Sequence, residues 1–160
     1  MSYITNIEKD TLENKNFRTV LFTSKFMQLV VMSLQVDEEI GSEVHHVDQF
    51  IRIEKGNAKS VLNGVERDLA DDDIVIIPAG TEHNIINTGD TELKLYTIYT
   101  SPEHKKGTIH KTKQDAMNDE ENACEDVHSS TFIIRIHMNS PQAFLFARLQ
   151  SGKRLVYRLR

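Results

Sequence analysis

The chain has 160 residues, of which 39% are apolar and 27% charged, and these values are typical of one soluble domain with some additional length. Its single cysteine excludes an internal disulfide framework and is typical of a reducing compartment. No apolar run reaches the roughly 18 residues of a membrane span and no signal-peptide pattern opens the chain, so we expect a cytoplasmic protein that binds no membrane. The net charge of −5 argues against nucleic acid as the main ligand.

The N-terminal part begins with a polar segment and continues as strands. Residues 1–15 are predicted to form an arm or a short helix that adds little to the core. Two segments rich in β-branched and aromatic residues follow, Phe17–Thr23 and Phe26–Leu34. Such composition favours strands, so the core is expected to start here.

Turn signals separate the next predicted strands. Asn63-Gly64 lies between Lys59–Leu62 and Val65–Leu69, and this dipeptide is the strongest short-range signal of a β-hairpin. Ile74–Ile77 is predicted to be a buried strand. Short strands between turn signals, with almost no helical periodicity, predict an all-β sandwich or barrel.

The turn that follows has the spacing P-x-G-x2-H-x3-N, formed by Pro78, Gly80, His83 and Asn87. Proline fixes φ on entering the turn, and glycine can adopt the positive φ that closes it. The pattern therefore predicts that His83 lies at a defined place at the start of the next strand. Asn87 is expected to hold the turn rather than to bind a ligand.

Alternate residues of the upstream segment 43–53 carry potential metal-binding or apolar side chains, namely Glu43, His45, Gln49, Ile51 and Ile53. Residues of one parity point to one face of a strand. If that face is the interior, the three polar side chains make a four-ligand set together with His83. His46 and Asp48 are expected to point outward, although a bulge after Glu43 would exchange the roles of His45 and His46.

These two stretches carry a family resemblance. The turn resembles the second motif of the cupin superfamily, G-x5-P-x-G-x2-H-x3-N, and the upstream segment resembles the first, G-x5-H-x-H-x3,4-E-x6-G. Residues 16–116 are similar to small bacterial single-domain cupins that are often labelled mannose-6-phosphate isomerase-like. The sequence departs from the motifs where Glu43 replaces a histidine, Gln49 replaces a glutamate, and Asp37 and Asp72 replace the leading glycines.

The resemblance implies a single cupin domain over residues 1–116, which is a small antiparallel β-barrel of the double-sheet jelly-roll type. In cupins a segment such as residues 1–15 often crosses to a partner subunit, so the resemblance also implies a homodimer. It places Glu43, His45, Gln49 and His83 at the positions of metal ligands.

Two imidazoles and one carboxylate suit one divalent transition metal, Fe, Mn, Ni or Zn, and Gln49 would add a neutral oxygen. A cupin with this site would bind a small polar metabolite and act as a sugar or keto-acid isomerase or as a dioxygenase. The same residues also fit a barrel whose histidines are satisfied by hydrogen bonds. Such a protein would be a non-catalytic binding or sensor module without a functional metal, so the sequence alone leaves open whether the protein is an enzyme.

The rest of the chain is predicted from composition. His104 and His110 lie in a polar loop and are expected to be solvated, although the family places this loop near the barrel mouth, where His110 would approach a substrate. Residues 117–130 are predicted to be an acidic flexible linker. Residues 131–160 form a C-terminal extension whose pattern fits a helix, strands or an interaction tail. Residues 127–160 hold six Lys and Arg and no Asp or Glu, so the remainder of the chain carries a net charge of −11.

Overall fold

The structure, a computed structural model, describes residues 2–119. The linker beyond residue 119 and the extension 131–160 lie outside the described residues. Within the described range no helix is long and apolar enough to cross a membrane. A helix begins at residue 113, and the other elements are α1 (Ile7–Glu13), β1 (Arg18–Thr23), β2 (Gln28–Leu34), β3 (Glu43–Val44), β4 (Gln49–Lys55), β5 (Ala58–Leu62), β6 (Val65–Leu69), β7 (Ile74–Ile77), β8 (Glu82–Asn87), β9 (Leu93–Tyr99) and β10 (Ile109–His110).

The strands form two antiparallel sheets. The six-stranded sheet has the order β10-β1-β2-β9-β4-β7, and the four-stranded sheet has the order β3-β8-β5-β6. One apolar cluster contains residues of both sheets, which confirms the predicted all-β fold of the jelly-roll type. The compact unit is Met1–Ala116.

The core lies between the sheets because alternate residues of each strand point inward. In β4, Gln49, Ile51 and Ile53 are buried, whereas Phe50 and Arg52 are partly exposed. Burying an aliphatic side chain of this size contributes about 1.5–3 kcal/mol, so the apolar residues fix the register of β4. This register also carries the polar Gln49 into the interior.

The polar N-terminal segment forms a short helix, α1. The side chain of Asn6 caps it by accepting a hydrogen bond from the Lys9 N–H. The helix contacts β2, β4 and β9, and Thr11 is fully buried. The segment therefore packs on the six-stranded sheet of its own domain.

Left-handed backbone occurs at the turns that the sequence marks. Asn63 and Gly64 have φ of 47° and 78°, as a two-residue hairpin turn requires, and Gly80 has φ of 80°. Asp37 and Asp72, which replace the leading glycines of the two motifs, have φ of 61° and 73°. A positive φ explains why the family motifs have glycine at these two positions. This chain keeps the same backbone conformation with aspartate, one of the few other residues that tolerate it.

Two sequence expectations differ from the structure. The segment 43–53 is not one strand, because β3 ends at Val44 and the chain turns before β4 begins at Gln49. The strand Ile74–Ile77 is not buried on both faces. It lies at the edge of the six-stranded sheet, where Ile74 and Ile76 are 52% and 64% exposed and only Val75 and Ile77 point into the core.

Candidate metal centre

Three of the predicted ligands, Glu43, His45 and His83, lie together, with their ligand atoms all within 4.8 Å of one another. Glu43 and His83 are paired neighbours in β3 and β8. His45 follows the end of β3, and its carbonyl accepts a hydrogen bond of 2.8 Å from the Gly80 N–H. The turn that positions His83 is thus bonded directly to the segment that carries His45.

The hydrogen bonds of His83 define its tautomer. Its Nδ1 lies 2.9 Å from the carbonyl oxygen of Thr81. Because a carbonyl oxygen only accepts, Nδ1 carries a proton, so in the neutral imidazole Nε2 is the nitrogen with a lone pair. Nε2 is buried and has no hydrogen-bond partner within the described residues. A buried nitrogen in this state is a suitable metal ligand.

His45 lies between two carboxylates. Its Nε2 is 3.1 Å from Glu43 Oε2, and its Nδ1 is 3.2 Å from Glu103 Oε1. Burial opposes a positive charge on the ring, but the hydrogen bonds and charges of Glu43 and Glu103 outweigh it and raise the pKa of His45 above its ordinary value. A metal-ligating histidine usually donates the N–H of its other ring nitrogen to a carboxylate, which orients the ring. Glu103 occupies this position beside Nδ1 of His45.

Gln49 is buried at the start of β4, next to Tyr99 in the strand register. Its Nε2 donates a hydrogen bond of 3.0 Å to Thr97 Oγ1. Its Oε1 is buried and has no hydrogen-bond partner in the described part of the chain. Since Thr97 fixes the orientation of the amide, the oxygen is the atom that Gln49 can offer to a ligand or a metal.

The donor set fits a divalent transition metal. Two imidazoles and one carboxylate suit Fe, Mn, Ni or Zn. Among the described residues, an imidazole nitrogen of His83 and an amide oxygen of Gln49 are buried without hydrogen-bond partners, although such atoms are normally paired. His46 and Asp48 are exposed and lie away from the set, as their parity predicts.

Comparison with known proteins agrees with this fold. The family profile described as the cupin domain matches residues 30–99. A crystal structure of BH2720 from Bacillus halodurans is 42% identical, covers 74% of this chain and 95% of its own, and superposes with a TM-score of 0.73. The chain belongs to the cupin family.

Two curated relatives of this cupin are uncharacterized proteins. YrkC of Bacillus subtilis is 48% identical over 123 residues, which span 72% of this chain and 66% of YrkC. L612 of Acanthamoeba polyphaga mimivirus is 46% identical over 113 residues, or 67% of this chain and 70% of L612. The similarity therefore places the cupin in a family without assigning it an activity.

Sequence reasoning missed a buried arginine in this cupin. Arg18 is 2% exposed, and its Nη2 lies 3.6 Å from Glu43 Oε1. Along β1, Arg18 and Val20 are buried and Thr19 between them is partly exposed, so Arg18 lies on the inward face of the strand. This alternation is the signal in the sequence that could have indicated its position.

The expectation that His104 and His110 are solvated is wrong. His110 is 7% exposed and lies beside Arg18 in the strand register. His104 makes an edge contact with the ring of Tyr99, with a centroid distance of 5.4 Å. Burial, with the positive charge of Arg18 as a further cause, lowers the pKa of His104 to about 3, so this ring is neutral at physiological pH.

A fully buried glutamine explains how the loop is held. Gln28 Oε1 accepts hydrogen bonds from the backbone N–H groups of Glu103 and His104, at 3.2 Å and 2.9 Å. Its Nε2 donates to the His104 carbonyl at 2.8 Å. Because these bonds fix the backbone, the loop brings Glu103 to His45 and His104 into the interior.

Proposed function

We propose that this cupin holds one divalent transition metal, Fe, Mn, Ni or Zn, on Glu43, His45 and His83, with Gln49 Oε1 as the fourth ligand. The observation that carries the proposal is the buried Nε2 of His83, which has no hydrogen-bond partner in the described part of the chain and belongs to a set of ligand atoms, with Glu43 and His45, that all lie within 4.8 Å of one another. A small polar metabolite would bind in the positions that these ligands leave open.

A metal bound here would supply a Lewis acid and a template for a carbonyl or hydroxyl oxygen of the metabolite. In this proposal Glu103 orients His45, the apolar barrel wall excludes water, and Glu43 holds or moves a proton. These roles suit isomerisation of a sugar or keto acid, as the label mannose-6-phosphate isomerase-like suggests, or a dioxygenase reaction.

One observation supports a second candidate function, a binding or sensor module without a functional metal. Glu43 already has two basic neighbours, with Oε2 at 3.1 Å from His45 Nε2 and Oε1 at 3.6 Å from Arg18 Nη2. These two basic neighbours compensate the negative charge of the Glu43 carboxylate without a metal ion. The module would bind its ligand tightly and would not convert it.

Elemental analysis of protein purified without an affinity tag tests the first proposal against the second. Near-stoichiometric Fe, Mn, Ni or Zn supports the metal centre and justifies a screen for isomerase and O2-dependent turnover. Protein that contains no metal, even after reconstitution with each ion, supports the metal-free module instead.

Glu103→Gln is expected to weaken metal binding about 10- to 100-fold, because groups behind a ligating histidine typically contribute this much. The amide lacks the negative charge that holds the Nδ1–H of His45. A competition titration with a chromophoric chelator measures the affinity. Glu66→Gln is the matched control, since the Glu66 side chain is 60% exposed and pairs with Lys59. Equal affinity of the two variants would show that Glu103 does not position His45.

A further inference from the structure

The inner ligand atoms of the proposed metal centre are closed to solvent. Nε2 of His83 and Oε1 of Gln49 are buried. His83 is 2% exposed, whereas the side chains of His45 and Glu103, which lie against each other, are 10% and 31% exposed. An ion in water carries a hydration shell and is larger than a water molecule, so it cannot reach the buried atoms while the surrounding groups stay in place. Loading of the centre therefore requires part of the protein to move.

Two segments lie against the triad on the side of Glu103. Residues 43–48 are tied by backbone hydrogen bonds, including the bond from the Gly80 N–H to the His45 carbonyl. Residues 101–107, named here the gate loop, connect β9 to β10, contain no strand and reach the triad through the side chain of Glu103. A segment that side chains hold in place opens at a lower free energy than a strand in a ladder. The gate loop is therefore the segment that can move.

The ends of the gate loop are fixed by backbone hydrogen bonds. The Thr100 N–H donates to the Asp48 carbonyl at 3.0 Å, and the Val20 N–H donates to the Thr108 carbonyl at 2.9 Å. Gly107, beside the second of these bonds, has φ of 76°, a conformation that glycine adopts without strain. Fixed ends with a glycine beside one of them let the middle of the loop move as a unit.

The side chain of Gln28 holds the middle of the gate loop against the barrel. It is fully buried at the start of β2. Its Nε2 donates to Thr23 Oγ1 at 3.0 Å, which orients the amide so that Oε1 and Nε2 also bond to the backbone of Glu103 and His104. Opening of the loop would separate these buried groups from their partners. The bonds of Gln28 therefore oppose opening.

We infer that the gate loop opens to admit the metal ion, and that Gln28 is the residue that keeps it closed. The inference rests on the metal centre of the proposed function and assigns to Gln28 control over how fast that centre exchanges metal. Because the same opening precedes loading and release, weaker bonds to the loop speed both steps by a similar factor. The affinity then changes little, as long as the closed form stays the major one.

The rates of metal exchange test this role of Gln28. Cobalt(II) is the probe, because its visible absorption follows loading after rapid mixing and release after addition of excess chelator. Gln28→Met keeps a side chain of similar length and removes its hydrogen bonds. Both rates are expected to rise at least about tenfold in this variant, as the loss of two or more neutral hydrogen bonds would produce. The affinity for cobalt is expected to change less than about threefold.

Gln35→Met is the matched control for the rates. Gln35 follows β2 at the opposite end of the strand, and its exposed side chain bonds to Glu92. The same substitution there is expected to leave both rates unchanged.

Amide hydrogen exchange of the wild type tests the opening without any variant. The N–H groups of Glu103 and His104 both donate to Gln28 Oε1, so they are expected to exchange together when the loop opens. Their exchange should be faster than that of the Val30 N–H, which lies in a central strand between β1 and β9. Exchange of all three only at the rate of global unfolding would show that the loop does not open by itself, and would overturn the inference.

The outcomes separate the inference from the proposed function. Wild-type protein that takes up no cobalt overturns the metal centre, and the gate for metal with it. Cobalt uptake with equal rates in Gln28→Met and Gln35→Met overturns the inference alone. Weaker affinity without faster loading also overturns it, because Gln28 would then only position Glu103. If Gln28→Met does not fold, hydrogen exchange of the wild type decides.

Discussion

Metal content is expected to fall to near zero in His83→Ala. The substitution removes an imidazole whose Nε2 is buried without a hydrogen-bond partner in the described residues, and leaves one histidine and one carboxylate close together. Loss of a group behind a ligand already costs about 10- to 100-fold in affinity, so loss of a ligand itself is expected to cost more than about 100-fold. Elemental analysis of the variant beside the wild type, both reconstituted with the same ion, measures the effect.

His45→Ala is expected to lose metal to a similar extent, and His46→Ala is the matched control. His46 is the adjacent residue in sequence but is exposed, whereas His45 is 9% exposed and contacts Glu43. Equal metal loss at positions 45 and 46 would contradict this register. Full metal content in His83→Ala would place the ion elsewhere.

Asn87→Ala is expected to destabilise the domain by about 3 kcal/mol. The side chain is 1% exposed, and its Nδ2 donates to the carbonyls of Leu34, Gln35 and Thr91 at 2.8–3.1 Å. Its Oδ1 accepts from the Gly89 N–H at 2.9 Å. Alanine removes these bonds, at a cost of about 1–3 kcal/mol for each backbone group that stays buried without a partner; the Gln35 carbonyl keeps its hydrogen bond from the Glu38 N–H. Urea denaturation followed by circular dichroism measures the loss, and the melting temperature should drop by on the order of 10 °C.

Asp90→Ala is the control for that measurement, since Asp90 lies in the same turn and is exposed. Its effect is expected to stay within about 0.5 kcal/mol of the wild type. If Asn87→Ala were as stable as Asp90→Ala, the bonds of Asn87 would not be what holds the end of β8 to the end of β2.

Local patterns in the sequence predict much of this fold. Asn63-Gly64 predicts its hairpin because few residues other than glycine and asparagine adopt positive φ. Parity predicts which side of the chain His45 and His46 face, because side chains alternate along extended backbone even where the strand is interrupted. The cupin motifs follow the same local geometry, so the family could be recognised from them.

The polar interior could not be predicted in the same way. Arg18 and His104 are residue types that usually remain in water, and only the alternation along β1 favours burial of Arg18. Arg18 is buried because the fold brings it to Glu43, which lies far from it along the chain, and His104 is buried because the loop after β9 folds back onto Tyr99. Glu103 was missed because its role depends on a contact with His45, which lies far from it along the chain.

The placement of His45 between two carboxylates has a consequence for how the protein would handle ions. Because the pKa of His45 is raised, its ring stays protonated to a higher pH than an ordinary histidine does, and a metal that binds this ring must displace the proton. The site therefore exchanges a bound proton for a metal ion. As the pH falls below the pKa of His45, metal affinity is expected to decrease about tenfold per pH unit, while the proton takes over the stabilising role. Acidification below the pKa of His45 would release the metal, and a return to a pH above this pKa would let it load again.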